Sequence, residues 1–461
     1  MNRPLSHRVW APACAGVTSL LLVGCMVGPD YRRPEQALPA AFVEPASSAT
    51  PAIDPRWWSL YRDPVLDDLV RTGLERNADI RLAVARVEEA EAALREARAT
   101  VFFPLVQGNA GASRARTIAN GTENNFTLGL STSFELDLWG RLRRAERAVQ
   151  EQLLASRYGR DTVRLTLAAT IARTYFAARS LDSQLAASEE ILRAANESLS
   201  LARKRSDAGL TSALDVYQAA SLQSAAAAQA KEIARQRAAI LHQLGVLGGR
   251  LDLRLEAKDI ASLPVPPLPP AGLPSQLLER RPDVRQAEAQ LAAATERIGI
   301  ARAAQLPTLS LTGSFGAQSS ELDSLLKPGA LVWSIGGNLL GPILDGGRYR
   351  ARSAQAEAQA RQAEAIYQRA VETAFRDVSD ALSNVRLAAD SETDLVARLD
   401  AARNALRLAQ RRYELGYSAY LEVLDAQRTL NDAQLAFIRN RQAYLSYTVD
   451  LMNSLGGGWS S

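Results

Sequence analysis

Few side chains in this 461-residue sequence could do chemistry, and the best placed of them is a cysteine. Leu22-Val23-Gly24-Cys25 closes a short apolar run, Ala15 to Val23, that follows Arg3 and Arg8. A charged start and a short apolar core make 1–24 a secretory signal, because a membrane span would need about 20 apolar residues. Leu22 and Gly24, three and one residues before the cysteine, resemble a lipobox. At such a motif the Cys25 sulfur is diacylated and the residue becomes the mature N-terminus. An ordinary signal with a chance cysteine is the alternative. Met26 rather than Asp after the cysteine favours delivery to the outer membrane by the lipoprotein sorting rule. Cys14 leaves with the signal, so Cys25 is the one remaining cysteine and no disulfide framework is possible.

The rest of the chain offers a catalyst little. His242, the one histidine beyond the signal, lies in an Ala/Leu-rich helical stretch where a packed or surface role accounts for it. No Cys/His spacing suits a metal. Gly336-Gly337 and Gly456-Gly457-Gly458 lack the lysine and the strand–helix setting of a phosphate loop. The second glycine run ends a helix and reads as a cap. Carboxylates recur in helical charge patterns that mark solvated faces. The expectation is no enzyme, no catalytic residue, no metal and no cofactor beyond the lipid on Cys25. A formal net charge of +4 gives no basic footprint for nucleic acid.

The organisation that must position anything functional is a duplication. Gly209-Leu-Thr-Ser-Ala-Leu-Asp-Val216 returns as Gly416-Tyr-Ser-Ala-Tyr-Leu-Glu-Val423, 207 residues on, and the same offset carries Trp139-Gly140-Arg141 onto Gly346-Gly347-Arg348. Val101-Phe-Phe-Pro104 answers Ala304-Gln-Leu-Pro307 at 203. After a Pro/Ala/Ser-rich tether (25–64), which Trp57-Trp58 and Asp63-Pro64 dock on the body, a first unit covers 65–262 and a second 275–461. The run 263–274, Leu-Pro-Val-Pro-Pro-Leu-Pro-Pro-Ala-Gly-Leu-Pro, reads as a rigid connector between them.

Each unit mixes helix, β-hairpin and helical hairpin. A helix is expected from about Leu66 to Ala99, stopped by Pro104. From Phe126 to Leu138 apolar and polar residues alternate with period two, which predicts a strand with one greasy and one wet face, paired with 105–118 across Asn120-Gly121. Leu309, Leu311, Phe315, then Leu331, Trp333 and Ile335 repeat the pattern in a second hairpin, 306–343. Thirteen residues at roughly 3.3 Å, tilted about 40°, reach the ~25 Å apolar band of an outer-membrane barrel. Four strands cannot close a barrel, since about eight is the minimum, and lipid tolerates no open edge. Either several chains pool their strands, or the sheet is soluble and covered by helices.

The helical hairpins, 139–249 and 346–455, are long. From Arg141 to about Asp207 and from Arg348 to about Leu415 there is no proline, and each run of about 67 residues spans ~100 Å at 1.5 Å per residue. Charges throughout exclude membrane-spanning helices. Each run turns at a glycine, Gly209 or Gly416, into a returning helix, 212–247 or 419–454. Glycine supplies the left-handed helix end, and Thr or Ser caps the next helix. Alanines on the first returning arm allow close antiparallel packing.

Several segments in chain order then resemble a known family: Cys25-Met-Val-Gly-Pro-Asp-Tyr-Arg-Arg-Pro34, Trp57-Trp58 with Asp63-Pro64, Leu138-Trp-Gly-Arg141, Glu279-Arg-Arg-Pro-Asp283, Asp345-Gly-Gly-Arg348, Leu424-Asp-Ala-Gln-Arg428 and Leu455 to Trp459. They are similar to the TolC/OprM-like outer-membrane factors, in the NodT-type efflux lipoprotein group. One departure is an extra residue before Pro104 relative to Pro307, which touches the local helix–strand joint. The resemblance implies a mixed, mostly α fold: a homotrimer whose four strands per chain make a twelve-stranded transmembrane β-barrel, continued by a long periplasmic α-helical barrel. It implies an outer-membrane, lipid-anchored channel exporting solutes delivered by an inner-membrane RND-type pump and a periplasmic adaptor. A lipid-anchored coiled-coil scaffold without a pore is the alternative.

The resemblance also assigns sites. It places Gly209, Leu210, Thr211 and Ser212, with Gly416, Tyr417 and Ser418, at tips that meet the adaptor, although helix capping alone accounts for both glycines. It makes Leu421, Asp425 and Arg428 a periplasmic gate. Their spacings of four and three residues put them on one helical face. The first copy carries Leu214, Gln218 and Ser221 at the matching positions, so the expectation is that the second hairpin opens and the first stays as wall.

Overall fold

The computed structural model describes residues 26–36, 38, 39, 42, 55–118, 121–268 and 277–457. The signal, Cys25, Asn120 and Trp459 lie outside them. Helices α1 (Pro64–Arg76) and α2 (Ala78–Phe102) lead into strands β1 (Leu105–Thr117) and β2 (Gly121–Leu136), then α3 (Arg141–Asp207) and α4 (Ala213–Leu247). The second half repeats this with α5 (Pro282–Ala303), β3 (Thr308–Ser319), β4 (Leu331–Leu340), α6 (Arg348–Glu414) and α7 (Tyr420–Ser454). Helices α3 and α6 both have 67 residues, and α4 and α7 both have 35.

Two expectations need correction. The helix from Leu66 to Ala99 is two helices, because Asn77 takes an extended conformation (φ −62, ψ 141) that ends α1. Its side-chain oxygen then accepts the Asp79 N–H at 2.7 Å and starts α2, the usual competition between an Asn side chain and the helical ladder. Helix α2 runs on to Phe102, past Ala99. The second strand starts at Gly121 rather than Phe126 and stops at Leu136. It stops there because Asp137 turns to cap α3, its carboxylate accepting the Leu142 and Arg143 N–H groups at 3.1 and 2.9 Å. Asp345 starts α6 in the same way, accepting from Gly347 and Tyr349 at 2.9 and 2.8 Å. The paired motifs at 138–141 and 345–348 are thus strand-to-helix turns.

The chain packs as two compact units, each drawing on both halves of the duplication. One comprises the described residues through Glu35, with 86–157 and 286–368. It holds an antiparallel sheet in the order β1-β2-β3-β4, so β1 and β4 are its edges. The tether docks here around Arg144, which is fully buried. Its guanidinium donates to the carbonyls of Gly28 and Pro29, to Asp30 at 3.1 Å and to Glu296 at 2.8 Å. Arg33 forks Glu288 at 2.6 and 2.9 Å.

The other unit comprises 36–85, 158–285 and 369 onward. Trp57, Tyr61, Leu66, Leu69, Ile171, Tyr175 and Phe176 centre its core, which places Trp57 and Asp63 where docking requires them. Asp63 caps α1 through Val65 N–H at 2.9 Å and also receives Tyr175 Oη and Lys258 Nζ at 2.7 and 2.8 Å. Arg281 of the Glu279–Asp283 motif forks Asp283, reaches Asp377 at 3.2 Å and donates to the Ser454 carbonyl at the end of α7, where a cation suits the helix dipole.

Candidate functional site

The sheet sorts its side chains by face. One row across the four strands reads Gly108–Leu130–Phe315–Trp333, and Ala110–Leu128–Ala317–Leu331 lies on the same side. The intervening row, Gln107–Ser131–Ser314–Ser334, takes the other face, where Ser314 and Ser334 hydroxyls meet at 2.8 Å. Leu130, Phe315 and Trp333 stay exposed within the single chain, so this face calls for an apolar surrounding. The edges β1 and β4 offer unpaired backbone groups to further strands. No described helix is long and apolar enough to cross a membrane.

The two glycine tips are built alike. Gly209 and Gly416 have φ of +72 and +78. Gly209 N–H donates to Ser206 O at 2.9 Å and Leu210 N–H to Arg205 O at 2.8 Å, while Gly416 donates to Tyr413 O at 3.0 Å and Tyr417 to Arg412 O at 2.8 Å. Both are Schellman ends, and each leaves one large apolar residue in water: Leu210 at 77% and Tyr417 at 75% exposed. The expected hydroxyl caps are absent. Ser212 stands at the N-cap of α4 without a side-chain capping bond, and Ala419 holds that place on α7. Thr211 instead donates to Asp215, and the Ser418 hydroxyl has no partner among the described residues. On α7 the register of the duplication explains this, since the residue matching Ser212 is Ala419 and the hydroxyl falls one place early.

Behind the tips a core of Leu199, Ala202, Ala219, Ala409, Tyr420, Val423 and Leu424 joins α3, α4, α6 and α7. The Arg205 guanidinium lies 4.6 Å from the Tyr413 ring, which in turn packs on Tyr420 at 5.3 Å. Sequence reasoning missed this stack. Its signal was Tyr420 standing where the first copy has Ala213. Of the basic residues before the turns, Arg205 therefore stacks, while Arg411 and Arg412 reach Glu414 and Glu422 at 3.7 and 3.5 Å.

On α7, Val423, Leu424 and Gln427 face the core, whereas Leu421, Asp425 and Arg428 are exposed together on the opposite side. Among the described residues neither Asp425 nor Arg428 forms an ion pair within the chain, so both charges are presented outward. The first copy presents Leu214 in the same exposed manner, with Ser221, and half-buries Gln218.

Comparison with known proteins gives these features a setting. A family model described as outer membrane efflux protein matches residues 69–250 and 273–457. The solvent efflux pump outer membrane protein SrpC of Pseudomonas putida is 35% identical over 463 residues, covering 96% of this chain and 97% of that protein. A membrane protein of known structure from Pseudomonas aeruginosa superposes with a TM-score of 0.88 at 33% identity, over 94% of this chain and 98% of that one. The Campylobacter jejuni CmeC outer membrane channel gives 0.87 at 28%, over 94% and 95%.

Proposed function

This chain belongs to the outer membrane efflux protein family, and from that premise we propose that three copies pool their strands into one twelve-stranded barrel through which solutes leave the cell. The observation that carries this reading is the four-stranded sheet, apolar on one face and polar on the other, with both edges unpaired. Lipid tolerates such a sheet only when β4 of one copy meets β1 of the next and the edges disappear. The polar rows then line a watery lumen and the apolar rows meet the bilayer. The protein is the outer-membrane component of an efflux pump, working with an inner-membrane RND-type pump and a periplasmic adaptor. A pore-free scaffold has no use for this pair of faces.

The helical hairpins form the periplasmic part of the duct. Leu210 and Tyr417, each held out by a Schellman glycine, are the knobs offered to the adaptor, with Gly209, Thr211, Ser212, Gly416 and Ser418 shaping the two tips. Leu421, Asp425 and Arg428 make three stacked rings by threefold symmetry and constrict the closed pore. A covalent lipid on Cys25 ties the N-terminus to the membrane. This is supported by the tether, because Val27 N–H donates to Trp139 O at 3.1 Å beside the strand-to-helix turn that follows β2. Transport is passive and needs no catalytic group.

Purified protein in planar bilayers tests the reading. A heat-modifiable trimer that conducts ions is expected. A monomer that conducts nothing would overturn it.

A further inference from the structure

The outer end of β1 carries two arginines that the export duct does not use. The apolar face of β2 runs from Leu136 to Phe126, an interval that covers about 25 Å of bilayer at 3.3 Å per residue and a tilt of about 40°. Register places Ala112 opposite Phe126 on that face. The next two positions of the same parity on β1 are Arg114, opposite Asn124, and Arg116, opposite Thr122. Both arginines are exposed and therefore stand on the lipid side, just past the end of the apolar band.

No carboxylate of β1 or β2 shares that face with them. Their cross-strand partners are neutral amide and hydroxyl side chains. Glu123 has the opposite parity and shares the polar face with Ala115. Among the described residues neither arginine forms an ion pair; of the two acidic residues on the β3–β4 connection, Asp323 is engaged by Lys327 at 3.6 Å and Glu321 pairs with neither arginine. Chain direction fixes which membrane surface this is. Helix α2 enters β1 at Leu105 and α3 leaves β2 after Leu136, so the helices attach at one end of the sheet and the β1–β2 turn lies at the other. With the helices in the periplasm, the arginines face the external leaflet.

We propose that Arg114 and Arg116 form a binding site for the phosphate groups of external-leaflet glycolipid. The proposal rests on the barrel reading above for its placement in the membrane. A guanidinium forks two oxygens of a phosphate, and it is less strongly hydrated than an ammonium, which suits the boundary between headgroup and acyl chain. Two such groups about 7 Å apart along one strand can hold the phosphates of one headgroup or of two neighbours.

Full-length trimer purified from vesicles containing bisphosphorylated lipid A tests this by native mass spectrometry of retained lipid. Wild type is expected to keep the phosphorylated glycolipid. Arg114→Gln with Arg116→Gln should lower retention roughly thirtyfold, the scale of two arginines beside an anionic surface. The Arg114→Lys, Arg116→Lys variant should recover part of it, and glycolipid stripped of phosphate should bind wild type and variant equally weakly. Equal retention of the phosphorylated lipid by wild type and the Gln variant would overturn the proposal. Displacement of the glycolipid by millimolar inorganic phosphate would overturn the lipid assignment in favour of a free-anion site. Conductance of the same preparations separates the two readings: a trimer without conductance counts against the duct, whereas a conducting Gln variant with undiminished lipid counts against this site alone.

Discussion

Arg144 and Glu296 form an ion pair at 2.8 Å that water barely reaches, with 1% and 8% of the two side chains exposed. The pair joins α3 to α5, and the same guanidinium holds the tether through Gly28, Pro29 and Asp30. Removing Glu296 leaves the buried guanidinium with only the exposed Asp30 as a charged partner, which costs up to about 3–5 kcal/mol. Glu296→Ala should therefore lower the temperature at which the trimer dissociates in detergent by several degrees or more. Arg33→Ala should have a much smaller effect, because 42% of that side chain is exposed and such pairs contribute about 0–1 kcal/mol. Gel mobility after stepped heating reads both, and equal effects would refute the ranking.

Gly28 and Gly209 separate two costs of a left-handed glycine. Both have positive φ, +110 and +72. A Cβ on Gly209 meets nothing within 4 Å, so Gly209→Ala should cost only the backbone strain of about 1–2 kcal/mol. A Cβ on Gly28 would stand 2.5 Å from the Gly299 Cα, backbone against backbone. Gly28→Ala should detach the tether and show as faster proteolysis of residues 26–36, with Gly209→Ala remaining as resistant as wild type.

These two cases also show what the sequence could and could not reveal. The hairpins were legible because a run without proline has nothing to stop a helix, and the glycines at 209 and 416 sit where the chain must reverse. The strand faces were legible because period two survives into the observed register. Asn77 was not, since apolar helical spacing continues on both sides of it and only the backbone rotation distinguishes a break. Arg144 was not, because in a helix rich in charge it looks like its partly exposed neighbours. It is buried by a tether more than a hundred residues away in sequence. The glycine turns at the tips were legible by repetition, but their caps were misjudged because a hydroxyl near a helix start need not bond to it.

Asp63 gives a pH dependence. Burial alone would raise its carboxyl pKa, but Lys258, the Tyr175 hydroxyl and the Val65 N–H together outweigh that and hold it below its ordinary 3.8. A carboxylate with a depressed folded pKa contributes stability that is complete above the unfolded value and is lost as pH falls through the folded one. Asp63→Asn keeps a capping side chain but loses the charge. It should destabilise by about 1.5–3 kcal/mol at pH 7, the range for hydrogen bonds to a charged group. Below about pH 3.8 the gap between variant and wild type should shrink. A gap in melting temperature that stayed constant between pH 7 and pH 3 would contradict this origin.

The tips can be tested apart from the fold. Leu210 and Tyr417 are exposed, and surface substitutions of this kind change stability by about 0.5 kcal/mol or less. Leu210→Asp with Tyr417→Asp should leave the trimer as heat-resistant as wild type while abolishing export by whole cells and crosslinking to the adaptor. Normal export by that variant would remove these residues from the interface.

The gate assignment turns on a difference between the two copies. Val423 and Leu424 bind α7 into the core beneath the tips, so the opposite face can be altered without disturbing packing. That face presents Leu421, Asp425 and Arg428, and among the described residues the two charges find no ion-pair partner within their own chain. Three copies around one axis would let Asp425 of each meet an arginine of the next, which closes the lumen with pairs that a neutral side chain cannot make. Gln218 and Ser221, at the matching places on α4, cannot form such a ring. Asp425→Ala with Arg428→Ala should therefore raise single-channel conductance in planar bilayers. Gln218→Ala with Ser221→Ala should leave it at the wild-type value. Equal conductance of the first variant and wild type would mean that these charges do not close the pore, and a rise in the second would mean that both hairpins do.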